Sequence, residues 1–180
     1  MLYNLRKIQI DKEAEMDYKE YLDNIEKKLE GYFDISKCYK INGYEYDLFA
    51  EYHLRTERYI LSKKAVIYAM ENNEYSLIKY FKSLDSNILN TYLDSLIKSI
   101  DIIVKPDENH MSSIITGVLV SEYKPDSYIV DTVKKFKYHK GFAFGFKGWV
   151  DIRLILVTIG DNYIVTNKKG KEVSKVYSIQ

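Results

Sequence analysis

The sequence predicts an α+β fold in which antiparallel sheet meanders pack against two or three helices. Three patterns indicate this class. Between residues 12 and 30, apolar side chains recur at intervals of three and four, the period of an amphipathic helix. On both sides of Asn42-Gly43 they alternate every second residue, as in two strands joined by a tight turn. Helical and strand-like periods then follow one another to about residue 178.

The first half of the chain is predicted to form one helix and then a meander. The helix is expected over residues 12–30, with Asp11 and Gly31 suited to cap its two ends. Strands are expected at residues 35–41, 44–54, 58–70 and 74–81. The turns between them are placed at polar positions: Asn42-Gly43, residues 55–57 and Asn72-Asn73.

The second half repeats the alternation of helices and strands. Helices are predicted at residues 86–100 and from Pro125-Asp126-Ser127 to about residue 135. A nearly continuous apolar run at residues 113–121 is typical of a central strand. The other strands are expected at 102–104, 136–146, 149–159, 163–166 and 173–178.

The order of these elements is compatible with an internal duplication. Gly43 aligns with Gly148, and residues 59–62 align with residues 163–166 after a slip of one residue. If this likeness is a true repeat, residues 11–81 and 112–178 form two pseudo-symmetric halves. We expect both halves to belong to one compact domain over residues 1–180, because only two prolines occur in the chain.

Composition limits the location and the chemistry. Cys38 is the only cysteine of the 180 residues, so neither an intrachain disulfide nor a cysteine-based metal site is possible. No apolar run reaches the roughly 18 residues of a membrane span, and the first residues lack the apolar region of a signal peptide. We therefore expect a soluble, cytoplasmic protein with no membrane partner.

Positive charge is concentrated near the C-terminus. Residues 111–180 hold 11 Lys/Arg against 6 Asp/Glu, a net charge of +5, although the whole chain carries only +1. This distribution allows a weak nucleic-acid or anionic-ligand surface on the C-terminal third. Eighteen tyrosines favour strands with half-buried faces, and long strand edges make a homodimer an open expectation.

The aromatic stretch at residues 136–146 is the most distinctive part of the sequence. Lys140-Gly141-Phe142-Ala143-Phe144 resembles the first five positions of the strand signature of RNA-recognition motifs. The resemblance implies that Phe142 and Phe144 stack on bases and that Lys140 meets phosphate.

The aromatic stripe also suits the protein core. Phe142, Phe144 and Phe146 share one face of a strand, and such a stripe is typical of packing under a helix. We therefore expect this stretch to be mainly core. The residues that would turn it into a binding surface are Lys137, His139, Lys140, Phe142, Phe144, Lys147 and Arg153.

A second short motif suggests an alternative function. Asp107, Glu122 and Lys124 resemble the PD-(D/E)xK signature of nucleases. The resemblance implies a Mg²⁺ ion held by two carboxylates and a lysine that orients the attacking water. This alternative requires the carboxylates of Asp107 and Glu122 to reach one common metal position.

No complete catalytic constellation emerges from the remaining residues. Asp47, Glu51 and His53 lie on one predicted strand, where a solvated outer face is the simpler interpretation. Nucleotide-binding loops and a metal-ligand spacing are not found in the sequence. We therefore predict a non-enzymatic binding protein without a cofactor, whose partner is a protein, a small ligand or nucleic acid.

Overall fold

A mixed sheet with helices on both faces forms the body of the protein. The computed structural model describes residues 18–59 and 67–179, with side chains for all of these except residues 57–59 and 67–69. The first described element is a helix over residues 18–29 (α1). The other elements are β1 (Asp34–Ile41), β2 (Tyr44–Tyr59), β3 (Ile67–Phe81), α2 (Ser86–Ile103), β4 (His110–Ser121), α3 (Ser127–Lys135), β5 (His139–Gly141), β6 (Trp149–Thr158) and β7 (Tyr163–Thr166).

The α+β class is confirmed, but the sheet is not purely antiparallel. Its order is β1-β2-β3-β4-β6-β5, with β7 also paired to β6. The pairs β3–β4 and β4–β6 are parallel, and the other four described pairs are antiparallel. Parallel pairing arises here because α2 and α3 return the chain to the starting end of the sheet before the next strand begins.

The Asn42-Gly43 turn between β1 and β2 is confirmed. Both residues have positive φ, 50° for Asn42 and 76° for Gly43. Residues in this left-handed region match the twist of a two-residue hairpin, and asparagine and glycine adopt it at the lowest cost. The register that follows pairs Ile41 with Tyr44 and Asp34 with Glu51.

The meander after β1 contains one long hairpin where the sequence suggested three strands. Arg55 pairs with Glu71, so the polar residues 55–57 continue β2 and do not form a turn. Asn72 and Asn73 lie within β3 because their side chains have partners: Ser112 Oγ donates to Asn72 Oδ1 at 2.7 Å, and the ring of His53 contacts Asn73 Oδ1. The predicted residues 60–66 lie outside the described residues.

Two apolar layers cover the two faces of the sheet. On the first face, α2 and α3 bury residues such as Leu96 and Val133 against the sheet. On the second face, α1 and residues 173–179 pack against it. Neighbouring residues of one strand divide between the layers, as with Leu119 and Val118 of β4. The apolar run of β4 is continuous because this central strand is covered on both sides.

The predicted helices are present, with differences at their ends. Asp85 and Asp126 cap α2 and α3, and each side chain accepts a hydrogen bond from a backbone N–H three residues on. The short strand predicted at residues 102–104 is wrong, because α2 continues to Ile103. Residues 12–17 of the first predicted helix lie outside the described residues. No helix of the described ranges is long and apolar enough to cross a membrane.

The C-terminal residues form turns and not the predicted strand at 173–178. These turns close the second face: Tyr21 OH donates to Tyr177 O at 3.0 Å, and Tyr177 OH contacts Ser76 Oγ at 2.8 Å. Lys28 Nζ also donates to two carbonyls of this segment. The internal duplication stays a prediction, since part of one aligned strand, residues 60–62, lies outside the described ranges.

Candidate anion-binding surface

Residues 142–148 form a compact turn and not the expected aromatic strand. β5 ends at Gly141, and a 3-10 helix covers Ala143–Gly145. Backbone hydrogen bonds close the turn, among them Phe142 N to Gly148 O at 2.9 Å. Ala143 and Phe144 have positive φ, 47° and 56°, a region that side chains of L-residues disfavour. We call residues 142–148 the aromatic turn.

The aromatic turn places two of its three rings in solvent. Phe144 is fully exposed, at 104%, and Phe146 is 90% exposed. The expectation that these rings are core is therefore wrong, because the left-handed residues break the alternation that a strand would impose. Phe142 alone is partly buried, and its ring meets the edge of the His110 ring at 5.7 Å.

A buried histidine anchors the base of this turn. His110 Nδ1 lies 2.7 Å from Lys147 O, and His110 Nε2 lies 2.9 Å from Ser113 Oγ. Gly148, with φ 73°, passes so close to the Met111 carbonyl that a Cβ would overlap it. The turn is therefore held at a defined position beside the start of β4.

Two lysines flank the aromatic turn. Lys140 Nζ donates to Asp101 Oδ1 at 2.8 Å, and this hydrogen bond raises the pKa of Lys140. The same ammonium lies 5.6 Å from the centre of the Phe142 ring. The Lys147 side chain is exposed and has no ion-pair partner among the described residues.

A gap between β5 and β7 leaves the middle of β6 without a strand partner on this side of the sheet. β5 pairs with β6 at Trp149–Asp151, and β7 pairs with it at Ile155–Thr158. The side chain of Asn167 fills the interval: its Nδ2 donates to Ile152 O at 3.0 Å, and its Oδ1 accepts from Leu154 N at 3.1 Å. One buried amide thus replaces a missing piece of strand.

Above this gap lies an open pocket of about 360 Å³. Phe136, Tyr138 and Ile152 give it apolar walls, and its charged lining is formed by Lys137, His139, Asp151, Lys168 and Lys169. Four of these five side chains are cationic or become cationic when protonated. The pocket therefore offers an apolar surface ringed by positive charge.

Asp151 is the single carboxylate of this lining, and two of the basic groups hold it. Lys169 Nζ lies 2.9 Å from its Oδ2, and His139 Nδ1 lies 2.8 Å from its Oδ1. Burial works against ionisation, but the hydrogen bonds from Lys169 and His139 prevail and lower the pKa of Asp151. The carboxylate stays ionised and orients the Lys169 ammonium and the His139 ring.

A second open pocket of about 450 Å³ continues the basic surface along β7. Its lining includes Lys134 from the last turn of α3, Lys168 from the turn after β7, and Lys171. Lys168 contributes to both pockets, so the two are contiguous. We call the set Lys134, Lys137, Lys168, Lys169 and Lys171 the lysine edge. Lys169 pairs with Asp151, and the other four have no ion-pair partner among the described residues.

Arg153 does not belong to this surface. Its side chain is 8% exposed and lies on the second face of the sheet. Nη1 donates to Glu74 Oε2 at 2.9 Å, and Nη2 donates to Glu172 Oε2 at 2.8 Å. The prediction that Arg153 lines a binding surface is therefore wrong, because both of its carboxylate partners already satisfy a buried guanidinium.

The nuclease motif does not come together. Asp107 and Glu122 lie before and after β4, whose 12 residues span about 40 Å. The Asp107 carboxylate accepts from two backbone N–H groups of its own turn, and Glu122 accepts from Tyr80 OH. Lys124 lies over the ring of Tyr163. A common Mg²⁺ position is impossible at this separation, because oxygen ligands bind the ion at about 2.1 Å.

The polar residues of β2 are likewise separated. Asp47 joins α1 to the sheet by accepting from Tyr18 OH and Lys79 Nζ, both at 2.8 Å. Glu51 and His53 instead pair with each other at 3.2 Å. Within the described part of the chain, no group of three His, Cys, Asp or Glu side chains is arranged to hold a metal ion.

Sequence reasoning found part of the lysine edge and missed the rest. Lys137 and His139 were predicted and do line the first pocket. Lys134, Lys168, Lys169 and Lys171 were missed, because a turn and a helix end bring them to β5 only in the folded chain. The charge of +5 over residues 111–180 was the available signal.

Comparisons with known proteins place the chain in a family without indicating an activity. No curated protein and no solved structure matches it. The profile described as "Domain of unknown function (DUF8052)" matches residues 17–179, which is most of the chain. The protein therefore belongs to the DUF8052 family.

Proposed function

We propose that this protein is a non-enzymatic binding protein that takes an anionic ligand along the lysine edge. The observation that carries the proposal is the meeting of Lys137, Lys168 and Lys169 around one pocket with apolar walls. Here an anion would gain several cations at once.

The balance of charge around the pockets supports this function. Asp151, in the lining of the first pocket, is already engaged by Lys169 and His139, and Glu172, next to Lys171 in the sequence, is engaged by Arg153. They therefore compensate the unpaired lysines only in part. A local excess of positive charge raises the association rate and affinity of anions, and both effects weaken with salt.

The architecture of the edge also favours binding over catalysis. The pockets are open, and their lining contains no nucleophile beside a base, although His139 and Asp151 are paired. Lysines bind anions as point charges without demanding one geometry. The homodimer and the cytoplasmic location remain predictions of the sequence.

The proposal is tested by binding of inorganic polyphosphate at a series of salt concentrations. We expect the logarithm of the association constant to fall linearly with the logarithm of salt, as counterions are released. The triple variant Lys137→Gln, Lys168→Gln, Lys171→Gln should bind at least about tenfold more weakly, with a shallower salt dependence.

A matched control changes three exposed lysines elsewhere: Lys27→Gln, Lys98→Gln and Lys105→Gln. It alters net charge by the same amount, so equal losses in both triple variants would reduce the effect to overall charge and contradict a site. Absence of polyphosphate binding by the natural sequence at low salt would also overturn the proposal.

A further inference from the structure

We infer that the anionic ligand is a single-stranded nucleic acid, with phosphates on the lysine edge and bases stacked on Phe144 and Phe146. This inference rests on the proposed function and names its ligand class. It starts from the two rings, which are 104% and 90% exposed on a turn closed by its own backbone hydrogen bonds. Exposed phenylalanines on an ordered turn leave both ring faces open to a planar partner.

The backbone of the aromatic turn is adapted to this display. Phe144 itself has φ 56°, a conformation that costs an L-residue free energy and places its side chain away from the sheet. Glycine, which adopts positive φ freely, is absent at positions 143 and 144. The turn therefore presents a phenylalanine at a left-handed position where its ring is fully exposed.

The rings and the lysines lie on one continuous edge. β5 has three residues and connects the pocket residues Lys137 and His139 directly to the aromatic turn. β5 and β7 lie on the same side of β6, whose ten residues span about 33 Å. The same edge of β6 thus carries the aromatic turn at its start and the lysine-lined pockets farther along.

A single strand of nucleic acid matches this sequence of chemical groups. Its phosphates repeat along a line, and its unpaired bases offer flat faces that stack on aromatic side chains. A duplex hides those faces, so it would use the lysines alone. Phenylalanine rings stack on any base and the lysines are proposed to contact phosphates, so binding should tolerate any sequence and accept RNA and DNA alike.

An anionic membrane is the other polyanion that phenylalanines and lysines can meet, and the arrangement here argues against it. Membrane insertion favours cations around the inserted rings, at the depth of the lipid headgroups. Among the described residues, Lys147 is an unpaired lysine within the turn and Lys140 beside it is paired with Asp101, whereas the four unpaired lysines of the lysine edge lie around the two pockets, away from the rings. Most of the unpaired charge therefore lies along the strand edge and not around the rings, which suits a linear polymer better than a plane.

The test uses the full chain and compares four probes. These are a fluorescent oligouridine and an oligothymidine of about 12 nucleotides, inorganic polyphosphate, and vesicles of phosphatidylserine and phosphatidylcholine. The double variants are Phe144→Ala with Phe146→Ala, and Phe144→Leu with Phe146→Leu. Tyr32→Ala, which removes a 77% exposed ring far along the sequence, is the control. Circular dichroism verifies that each variant is folded.

We expect both double variants to weaken oligonucleotide binding by about tenfold or more, because each variant removes the two aromatic rings on which bases would stack. Polyphosphate affinity and the salt dependence should stay unchanged, since no lysine is altered. The leucine variant separates stacking from burial: leucine keeps apolar bulk but has no aromatic face. Retained oligonucleotide binding in that variant would overturn the stacking role.

Other outcomes separate this inference from the proposed function. Binding of polyphosphate without binding of either oligonucleotide would refute the nucleic-acid ligand and leave the anion site standing. Vesicle binding that is lost with alanine and kept with leucine would assign the rings to a membrane and refute the inference. Failure to bind any of the four probes would refute the inference and the proposed function together.

Discussion

Asn167 and Leu154 exchange two hydrogen bonds across the edge of the sheet. Asn167 N donates to Leu154 O at 3.0 Å, and Leu154 N donates to the side-chain Oδ1 of Asn167 at 3.1 Å. The same Oδ1 accepts from Gly170 N at 2.7 Å. One asparagine therefore ends β7, shapes the turn that carries Lys168 and Lys169, and completes the hydrogen bonding of β6.

This relationship predicts that Asn167→Ala lowers the free energy of unfolding by about 3 kcal/mol, because several buried backbone groups lose their partners. Urea denaturation followed by circular dichroism measures the loss. Asn167→Asp is the informative comparison: it keeps the acceptor for Leu154 N and Gly170 N but removes the donor to Ile152 O. A change below about 0.5 kcal/mol in the alanine variant would contradict the bridging role.

Substituting each of the two glycines of the aromatic turn by alanine should lower the free energy of unfolding by different amounts. Gly145→Ala should destabilise by about 1 kcal/mol, since φ is 89° but the space around it is open. Gly148→Ala should cost about 2 to 4 kcal/mol, because its Cβ would also meet the Met111 and His110 carbonyls. Thermal unfolding compares the two variants, and equal costs would show that the close approach at Gly148 is easily relaxed.

Asp151 predicts a specific dependence of stability on pH. Its pKa is lowered in the folded protein, so its stabilisation is complete above the unfolded pKa of about 3.9 and is lost as pH falls through the folded value. Asp151→Asn should therefore be less stable than the natural sequence at pH 7, and the difference should shrink on acidification below about pH 4.

The measurement is the free energy of unfolding in urea at several pH values. Asp101→Asn serves as the control, because Asp101 pairs with Lys140 but its side chain is 73% exposed, where ion pairs contribute about 0–1 kcal/mol. If the cost of Asp151→Asn were the same at pH 7 and below pH 3, the charge of Asp151 would have no part in it.

Arg153 predicts a coupling between the sheet and the C-terminal turns. Arg153→Ala should cost about 1 to 3 kcal/mol, because it removes a buried guanidinium and its hydrogen bonds to Glu74 and Glu172, whose own side chains stay partly exposed to water. Hydrogen exchange should rise in residues 173–179, which follow Glu172 on the second face. Glu74→Gln, which leaves the Glu172 contact, should produce a smaller increase. Unchanged exchange in the alanine variant would show that the C-terminal turns are held by their apolar contacts alone.

The sequence correctly predicted those elements whose conformation depends on residues close to one another in the chain. The Asn42-Gly43 turn, the strand before it, and the helices capped by Asp85 and Asp126 depend on short-range backbone preferences. The same reasoning failed at Asn72-Asn73, whose turn-like side chains are satisfied by Ser112 and His53 within the sheet. Propensity is a weak guide where a distant partner provides the hydrogen bond.

By itself, the sequence determined the α+β class, the central position of β4, and a positive charge on the last third of the chain. The tertiary structure alone decided that β4 is parallel to both neighbours, that Phe144 and Phe146 face solvent, and that Arg153 is buried. It also brought the end of α3 and the turn after β7 together into the lysine edge. The physical reason is that periodicity reports which side chains prefer burial, whereas burial itself depends on contacts between residues far apart in the chain.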